Sequence, residues 1–300
     1  MSADYALRSH SDASVLRHAL ARAWSDRSKY LVAAICLAVC VVMLAPLVVC
    51  VLASVKSTME AGTVPPTYLP HSFSLESYTR LLHYQVGLPT YLANSGGTAF
   101  LTIAFCLGLT VPAGYALARF PVPGKEALFV ILLMALIIPY QALLTPLFFM
   151  FAELRLQNSL IGLAILHTAI QLPFSLYIMR NSFESVPREL EEAAVIDGCN
   201  SWQVLTQIYL PAIRPAMVTV SLFAFITSWN ELLGALVMMN KDSMFTLPIV
   251  LAAARTETSL GGTDWGLLQA GITISIVPCV LVYVFLQKYY VAGLLSGAVK

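Results

Sequence analysis

The sequence predicts an all-helical membrane protein of six spans. Of its 300 residues, 58% are hydrophobic and only 11% are charged, whereas roughly a quarter of the residues of a soluble domain carry charge. The remaining charges divide the chain into uncharged intervals of the length a bilayer demands, about 20 apolar residues for one helix. A formal charge of +1, with the basic residues scattered between apolar runs, leaves no continuous basic patch, so no nucleic-acid partner is expected.

Taken in order, residues 1–29 are polar and basic and precede an uncharged run from Tyr30 to Val55, bracketed by Lys29 and Lys56. This first span is too long for a signal-peptide core and no small-residue cleavage site follows it, so it reads as an uncleaved anchor. An external segment, 56–91, holds VPPTYLP and HSFSLESY, and a short interfacial helix is expected near Leu75 to Leu82. The remaining five spans lie in residues 92–287. The second runs from about Leu92 to Ala118, and the third from Ala127 to Ala152 between Glu126 and Glu153. The fourth runs from Leu156 to Met179 between Arg155 and Arg180. After a polar loop, 180–214, the fifth runs from about Ala216 to Met239 and is interrupted only by Glu231. The sixth, Trp265 to Gln287, precedes a tail, 288–300.

Basic residues near span ends tend to stay cytoplasmic. Counting loops alternately, one set holds Arg8, Arg17, Arg22, Arg27, Lys29, Arg119, Lys125, Arg180, Arg188, Arg214, Lys288 and Lys300; the other holds Lys56, Arg80, Arg155, Lys241 and Arg255. Twelve against five predicts cytoplasmic N- and C-termini and a cytoplasmic 180–214 loop. The six cysteines show neither metal-ligand nor disulfide-framework spacing and read as small apolar residues. Prolines 46, 112, 139, 146, 173 and 278 fall inside predicted spans, where each removes a backbone hydrogen bond and tends to kink the helix. Neighbouring helices can re-satisfy the freed carbonyls, but several kinked spans together suit a transporter better than a rigid anchor.

The polar loop contains EEAAVIDGCNSWQVLTQIYLP, residues 191–211. Ser185 and Pro187 look like a helix start, and Glu189, Glu191 and Glu192 suit the positive end of its dipole. Gly198 is placed to end the helix in a left-handed cap. Asn200 and Gln203 have capping-box spacing for a second helix, whose Trp202, Leu205 and Tyr209 form an apolar stripe until Pro211 ends it. Ala193 and Ala194 are small enough for another protein to approach the backbone, with Glu192 and Asp197 as flanking charges. The alternative is an interfacial helix lying on the bilayer.

E-A-A, three residues, G, nine residues, I, any residue, L-P is the cytoplasmic signature of the permease subunits of bacterial binding-protein-dependent ABC importers. Here Glu192, Ala193, Ala194, Gly198, Ile208, Leu210 and Pro211 fill every fixed position at the family spacing. The surrounding order resembles the maltose-type sugar permeases: LANS opening the second span, IPYQALLTPLF in the third, RNSFESVPRELEEAAVIDG, SWNELLGAL in the fifth and QKYYVAGLLSGAVK at the C-terminus. The resemblance covers Thr90 to the end, more loosely the first span, and is closest to the six-span partner of the maltose pair.

The resemblance implies a type I ABC importer permease fold in the bacterial inner membrane, and a non-enzymatic subunit that pairs with a second permease, two ATPase subunits and an external solute-binding protein. It implies that the two loop helices dock into a cleft on the ATPase and that ATP-driven closure there switches the spans between inward- and outward-facing states. It also implies a carbohydrate substrate: an oligosaccharide, a glycoside or a polyol derivative, with a glycerophosphate-type substrate sharing the same motifs. Gly297, Ala298 and Val299 correspond to a family tail that reaches between the ATPase subunits, although the usual final glycine is absent. No P-loop is present, since Gly124-Lys125 is followed by Glu126 and no glycine lies five residues earlier. ATP and magnesium therefore belong to partner subunits, and no cofactor or metal is expected in this chain.

Trp229, Asn230 and Glu231 lie within the fifth predicted span, where an ionisable group marks function because charge in hydrocarbon is costly. Two roles stay open for them: contact with sugar hydroxyls along a translocation path, Trp229 stacking on a sugar face, or a helix–helix hydrogen bond at the interface with the second permease. His167 and Gln171, one turn apart in the fourth span, either face the same path or serve as satisfied interior groups. No nucleophile elbow, H-E-x-x-H motif or paired-carboxylate site is present. The rival reading is an ion-coupled secondary transporter using Glu231; it leaves the cytoplasmic signature unexplained.

Overall fold

A computed structural model describes the backbone of residues 3–254 and 263–298 and the side chains of residues 29–254 and 263–287. The first helix, α1 (Ala3–Ser54), joins the N-terminal segment and the first span in one element of 52 residues. Its apolar side chains from Tyr30 to Val49 are exposed, as expected of a helix that meets lipid or another subunit. Towards its end Cys50 is half-buried and its Sγ donates to Gln269 Oε1 at 2.7 Å. Outside the predicted span come α2 (Thr58–Ala61) and α3 (Glu76–Leu82), the latter within a residue of the expected interfacial helix.

Two long helices form the centre. The second span, α4 (Leu88–Arg119), begins after Gly87 at φ +97° with Pro89 in its first turn. The third predicted span is not one helix. It is α5 (Lys125–Met134), a tight turn to Ile137, a second tight turn over Tyr140–Leu143, and α6 (Leu144–Glu153), with the halves bent by 90°. Proline 139 has no N–H to donate and its ring clashes with a helical predecessor; Ile138 accordingly sits at φ −80°, ψ 119°. The fourth span, α7 (Leu160–Ser185), starts where Ser159 accepts from Gly162 N and extends beyond the predicted end.

The loop follows as α8 (Arg188–Ile196), α9 (Ser201–Gln203), a wide π turn over Val204–Tyr209 and α10 (Leu210–Ala212). It bends by 74° into α11 (Arg214–Asn230). The predicted fifth span therefore stops at Asn230, and a separate α12 (Leu233–Met238) continues after a break. Then come α13 (Leu247–Ala253) and α14 (Trp265–Ala298). Among the described residues four helices are individually long and apolar enough to cross a bilayer, and the number rises to as many as six if each bent pair counts as one span, the second pair joining the loop helix Ser201–Ala212 to α11. Pro112, Pro173 and Pro278 lie inside continuous helices; of the six span prolines only Pro139 marks a break.

The core is built on α4 against α7. A Cβ at Gly114 would lie 2.8 Å from Met179 Cβ and 3.2 Å from Arg180 N, a close approach of the kind small residues allow between membrane helices. Buried Thr102, Thr110 and Thr168 donate to the carbonyls of Thr98, Cys106 and Ala164, 2.6–2.8 Å away, so these hydroxyls are satisfied within their own helices. α11 packs on both helices, and α14 lies against α1 and α11.

At the far end from the loop, Asn94 of the LANS motif donates to the carbonyls of Ser243 and Phe245 at 3.0 and 2.9 Å. Ser95 Oγ accepts from Leu247 N at 2.8 Å. Asn158 Oδ1 accepts from the amides of Asn240 and Lys241 at 2.8 and 3.0 Å. These side chains fasten the 240–247 segment, where a single 3-10 turn over Asp242–Met244 pairs only part of the backbone.

Replacing Gly114 by Leu is expected to destabilise the purified protein by about 1–3 kcal/mol, the usual cost of overpacking. Gly108→Leu, where nothing lies within 4 Å of a Cβ, should leave the melting temperature in detergent unchanged or raised. Equal melting behaviour of the two variants would contradict the close α4–α7 approach.

Candidate functional site

The 180–214 loop has the two helices its sequence predicts, with one internal difference. Helix α8 closes on Gly198 at φ +87°, with Gly198 N donating to Val195 O and Cys199 N to Ala194 O at 3.0 and 2.9 Å. A Cβ at Gly198 would meet nothing within 4 Å. Glycine is required there for its backbone conformation and not for space. The capping box forms: Asn200 Oδ1 accepts from Gln203 N at 2.9 Å and Gln203 Oε1 accepts from Asn200 N at 2.8 Å.

The difference lies in the second helix. The expected stripe of Trp202, Leu205 and Tyr209 assumed a uniform helical step, but the π turn widens it. Val204 and Tyr209, five residues apart, face inward with Leu205, whereas Trp202 is 70% exposed. The helical run Ser201–Ala212 ends one residue after Pro211 and bends by 74° into α11, so the expected stop holds to within a residue.

The buried stripe packs against Tyr115, Met179, Phe183 and Val186 at the ends of α4 and α7. The rings of Tyr115, Phe183 and Tyr209 lie mutually 5.3–5.6 Å apart. Ala194 is part of this packing and points into its own chain, while Ala193, Glu192, Asp197 and Gly198 are exposed. Ile208 and Leu210 are half-buried at the edge of the same cluster and Pro211 is exposed. Exposed beside them are Val195, Ile196 and Trp202, an apolar surface on an otherwise charged loop. Sequence reasoning singled out only Trp202 of these three, because nothing in Val195-Ile196 tells which way a short helix turns.

The second candidate is the polar cluster of the fourth and fifth spans. Glu231 has left the helix, at φ −73°, ψ 121°, and is 8% exposed. Its carboxylate accepts from Tyr140 OH at 2.7 Å, Gly234 N at 2.7 Å and Ala235 N at 2.9 Å, and lies 3.2 Å from His167 Nε2. His167 Nδ1 lies 2.9 Å from Ser228 Oγ. Glu231 therefore caps the start of α12 and joins it to Tyr140, beside the break in the third span, and to the fourth span. Its oxygens are occupied within the chain, an intrachain cap that differs from both roles left open for it. Sequence reasoning missed this cap because the apolar run continues on both sides of Glu231 and hides the helix break.

The other path candidates divide. Trp229 is 5% exposed, donates from Nε1 to Ser275 O at 3.2 Å and stacks on Phe225 at 5.5 Å. Asn230 is exposed, with Nδ2 bonded to Ile226 O. Both line a cavity of about 440 Å³ with Leu247, Leu251, Leu268 and Ile272. Gln171 is buried, accepts from Thr227 Oγ1 at 3.0 Å, and its Nε2 has no partner. Among the described residues no group of three or more His, Cys, Asp or Glu side chains is placed to hold a metal ion.

Residues 110–295 match the family described as "binding-protein-dependent transport system inner membrane component". The chain belongs to this family. It is 32% identical to the arabinooligosaccharides transport system permease protein AraQ of Halalkalibacterium halodurans, over 85% of this chain and 90% of that one. It is 30% identical to the diacetylchitobiose uptake system permease protein DasC of Streptomyces coelicolor, over 82% and 87%. The crystal structure of a bacterial ABC transporter involved in the import of the acidic polysaccharide alginate superposes with a TM-score of 0.76 at 26% identity, covering 89% of this chain and 98% of that one. The fold is that of a type I ABC importer permease. The chain is a membrane-embedded transport subunit of a kind that works with an ATPase and a substrate-binding protein, and family membership decides against the ion-coupled reading.

Glu231→Gln places an amide donor among three groups that donate to the carboxylate, Tyr140 OH and the amides of Gly234 and Ala235, so it is expected to lower stability by about 1–3 kcal/mol, the cost of a buried group left without its partner. Tyr140→Phe removes one of those donors and should cost about 1 kcal/mol. Thermal unfolding in detergent separates the two; a wild-type melting temperature for Glu231→Gln would show that the cluster does not hold the break.

Proposed function

We propose that this chain is the carbohydrate-translocating permease of a bacterial inner-membrane importer, working with a second permease, two ATPase subunits and an external solute-binding protein. The observation that carries the substrate class is the agreement among relatives that cover nearly the whole chain: their names and title specify arabinooligosaccharides, diacetylchitobiose and alginate. All three are glycans. An oligosaccharide or glycoside delivered from outside is the substrate that fits.

In this reading the termini and the 180–214 loop face the cytoplasm, in line with the twelve-to-five distribution of basic residues. Glu192, Ala193, Asp197 and Gly198, with Ile208, Leu210 and Pro211, form or support the ATPase-facing surface. Val195, Ile196 and Trp202 add the apolar contact that a partner would cover. Ala194 supports it from inside. ATP biases the two transport states only through contacts that differ between them, which a loop packed on the ends of α4 and α7 can transmit. The mouth lined by Trp229 and Asn230 offers the aromatic edge and amide suited to sugar hydroxyls, with His167, Glu231 and Gln171 behind it as the scaffold. A tail contact with the ATPases through Gly297, Ala298 and Val299 lies outside the described side chains, and Val299 outside the described residues altogether.

Co-purification of the tagged chain with its chromosomal neighbours, followed by ATPase assays with the binding protein and a sugar panel, tests the reading. A second permease and an ATPase should co-purify, and one loaded sugar should stimulate hydrolysis; a chain that purifies alone without ATPase activity overturns it. Gly198→Val, which forces a β-branched residue into the left-handed region at a cost of about 1–3 kcal/mol, should leave the protein in the membrane but sharply reduce uptake. Normal uptake by this variant would overturn the docking role of the loop.

A further inference from the structure

We propose that Arg119 is a positioning residue for coupling: it clasps the cytoplasmic loop to the ends of the second and fourth spans, so that loop and spans turn as one body. The inference rests on the importer reading above. Arg119 is the last residue of α4, and its Nη2 donates to the carbonyls of Phe183 and Val186 at the C-terminal end of α7. Phe183 O also accepts the amide of Val186 at 3.3 Å, so Arg119 adds a second donor to that carbonyl and supplies one to Val186 O just past the helix end, where a cation also meets the negative end of the dipole. The same guanidinium lies 4.9 Å from the centroid of the Tyr209 ring in the second loop helix, within cation–π range. Tyr209 is fully buried and its hydroxyl donates to Glu191 Oε2 at 2.6 Å, which reaches the first loop helix. One side chain thus touches two spans and, through Tyr209, both helices of the loop.

The apolar packing beneath it, Tyr115 with Phe183 and Tyr209, does not do the same work. Hydrophobic contact is non-directional, so a ring cluster alone resists separation of loop and spans better than rotation of one on the other. The guanidinium is directional: Nη2 is shared between the carbonyls of Phe183 and Val186 while the planar group faces the Tyr209 ring, and Nε is buried without a partner. The guanidinium fixes both the angle of α7 against α4 and the face of Tyr209. The third span is held by a separate arginine: Arg180 donates to Glu126 at 2.7 Å and Glu184 at 2.8 Å and lies 4.3 Å over Phe129. Arg180 joins spans to each other, whereas Arg119 joins spans to the loop. Burial first, and the hydrogen-bonded Glu191 carboxylate second, push the Tyr209 hydroxyl above its ordinary pKa, so it remains a neutral donor to Glu191.

The test uses the whole importer in lipid nanodiscs, with the binding protein carrying whichever sugar of the panel stimulates the wild-type complex most. Compared are wild type, Arg119→Lys, Arg119→Ala and Tyr209→Phe, read as sugar imported per ATP hydrolysed, with subunit co-purification as the assembly check. Arg119→Lys keeps the charge but loses the planar group that faces Tyr209 while reaching both carbonyls, and is expected to assemble and to import about tenfold less sugar per ATP, within the usual range of coupling effects. Tyr209→Phe, which keeps the ring and breaks only the Glu191 bond, should show a smaller loss, and the double variant should lose less than the two single losses combined, as residues in one network do. A wild-type ratio in Arg119→Lys overturns the clasp, as does an Arg119→Ala complex that is merely less stable but fully coupled. If Arg119→Ala fails to assemble, Arg119→Lys and Tyr209→Phe still decide. A wild-type complex that no loaded binding protein stimulates overturns the importer reading itself, and is thereby told apart from failure of the clasp alone.

Discussion

In hydrocarbon no water is available to a backbone group that loses its helical partner, and each such group costs several kcal/mol unless the chain supplies another. The rest of this structure depends on how it meets that constraint where its helices break. At Ile138-Pro139 proline brings one fewer donor to satisfy, and tight turns on either side pair most of the others. At Glu231 the carboxylate itself accepts from the amides of Gly234 and Ala235 and restarts the helix. The two breaks are joined by the Tyr140–Glu231 hydrogen bond. Breaks joined in this way behave as one feature of the bundle and not as two independent weak points.

The ends of the spans show the same economy of polar groups. Asn94 and Asn158 hold the 240–247 segment at one end, and Arg119 and Arg180 gather the helix ends at the other. Between them the bundle relies on close backbone approach at Gly114 and on hydroxyls that bond within their own helices. This arrangement suits a transport subunit. Large movements are favoured where elements meet through few directional bonds, and rigid transmission where a directional clasp spans an interface.

Parts of the site were legible because they rest on local rules. The glycine cap at Gly198 and the capping box of Asn200 and Gln203 involve residues within a turn or two of each other, so their spacing alone defines them. The signature from Glu192 to Pro211 was readable for the same reason. Trp202 and Glu231 were misplaced because their surroundings are not set by a uniform helical step. A π turn breaks the stripe expected to include Trp202, and Tyr140 and His167, 91 and 64 positions away along the chain, hold Glu231.

The sequence by itself determined that the chain is helical, embedded in a membrane and a permease of a binding-protein-dependent importer. Charge-free length and a fixed-spacing motif survive any arrangement of the helices. Only the tertiary structure decided that two of the predicted spans are broken, that Glu231 serves as an internal cap, and that Arg119 meets Phe183, Val186 and Tyr209. Hydropathy reports how well a segment dissolves in lipid. It carries no information about which distant residue will satisfy the polar groups that a break exposes.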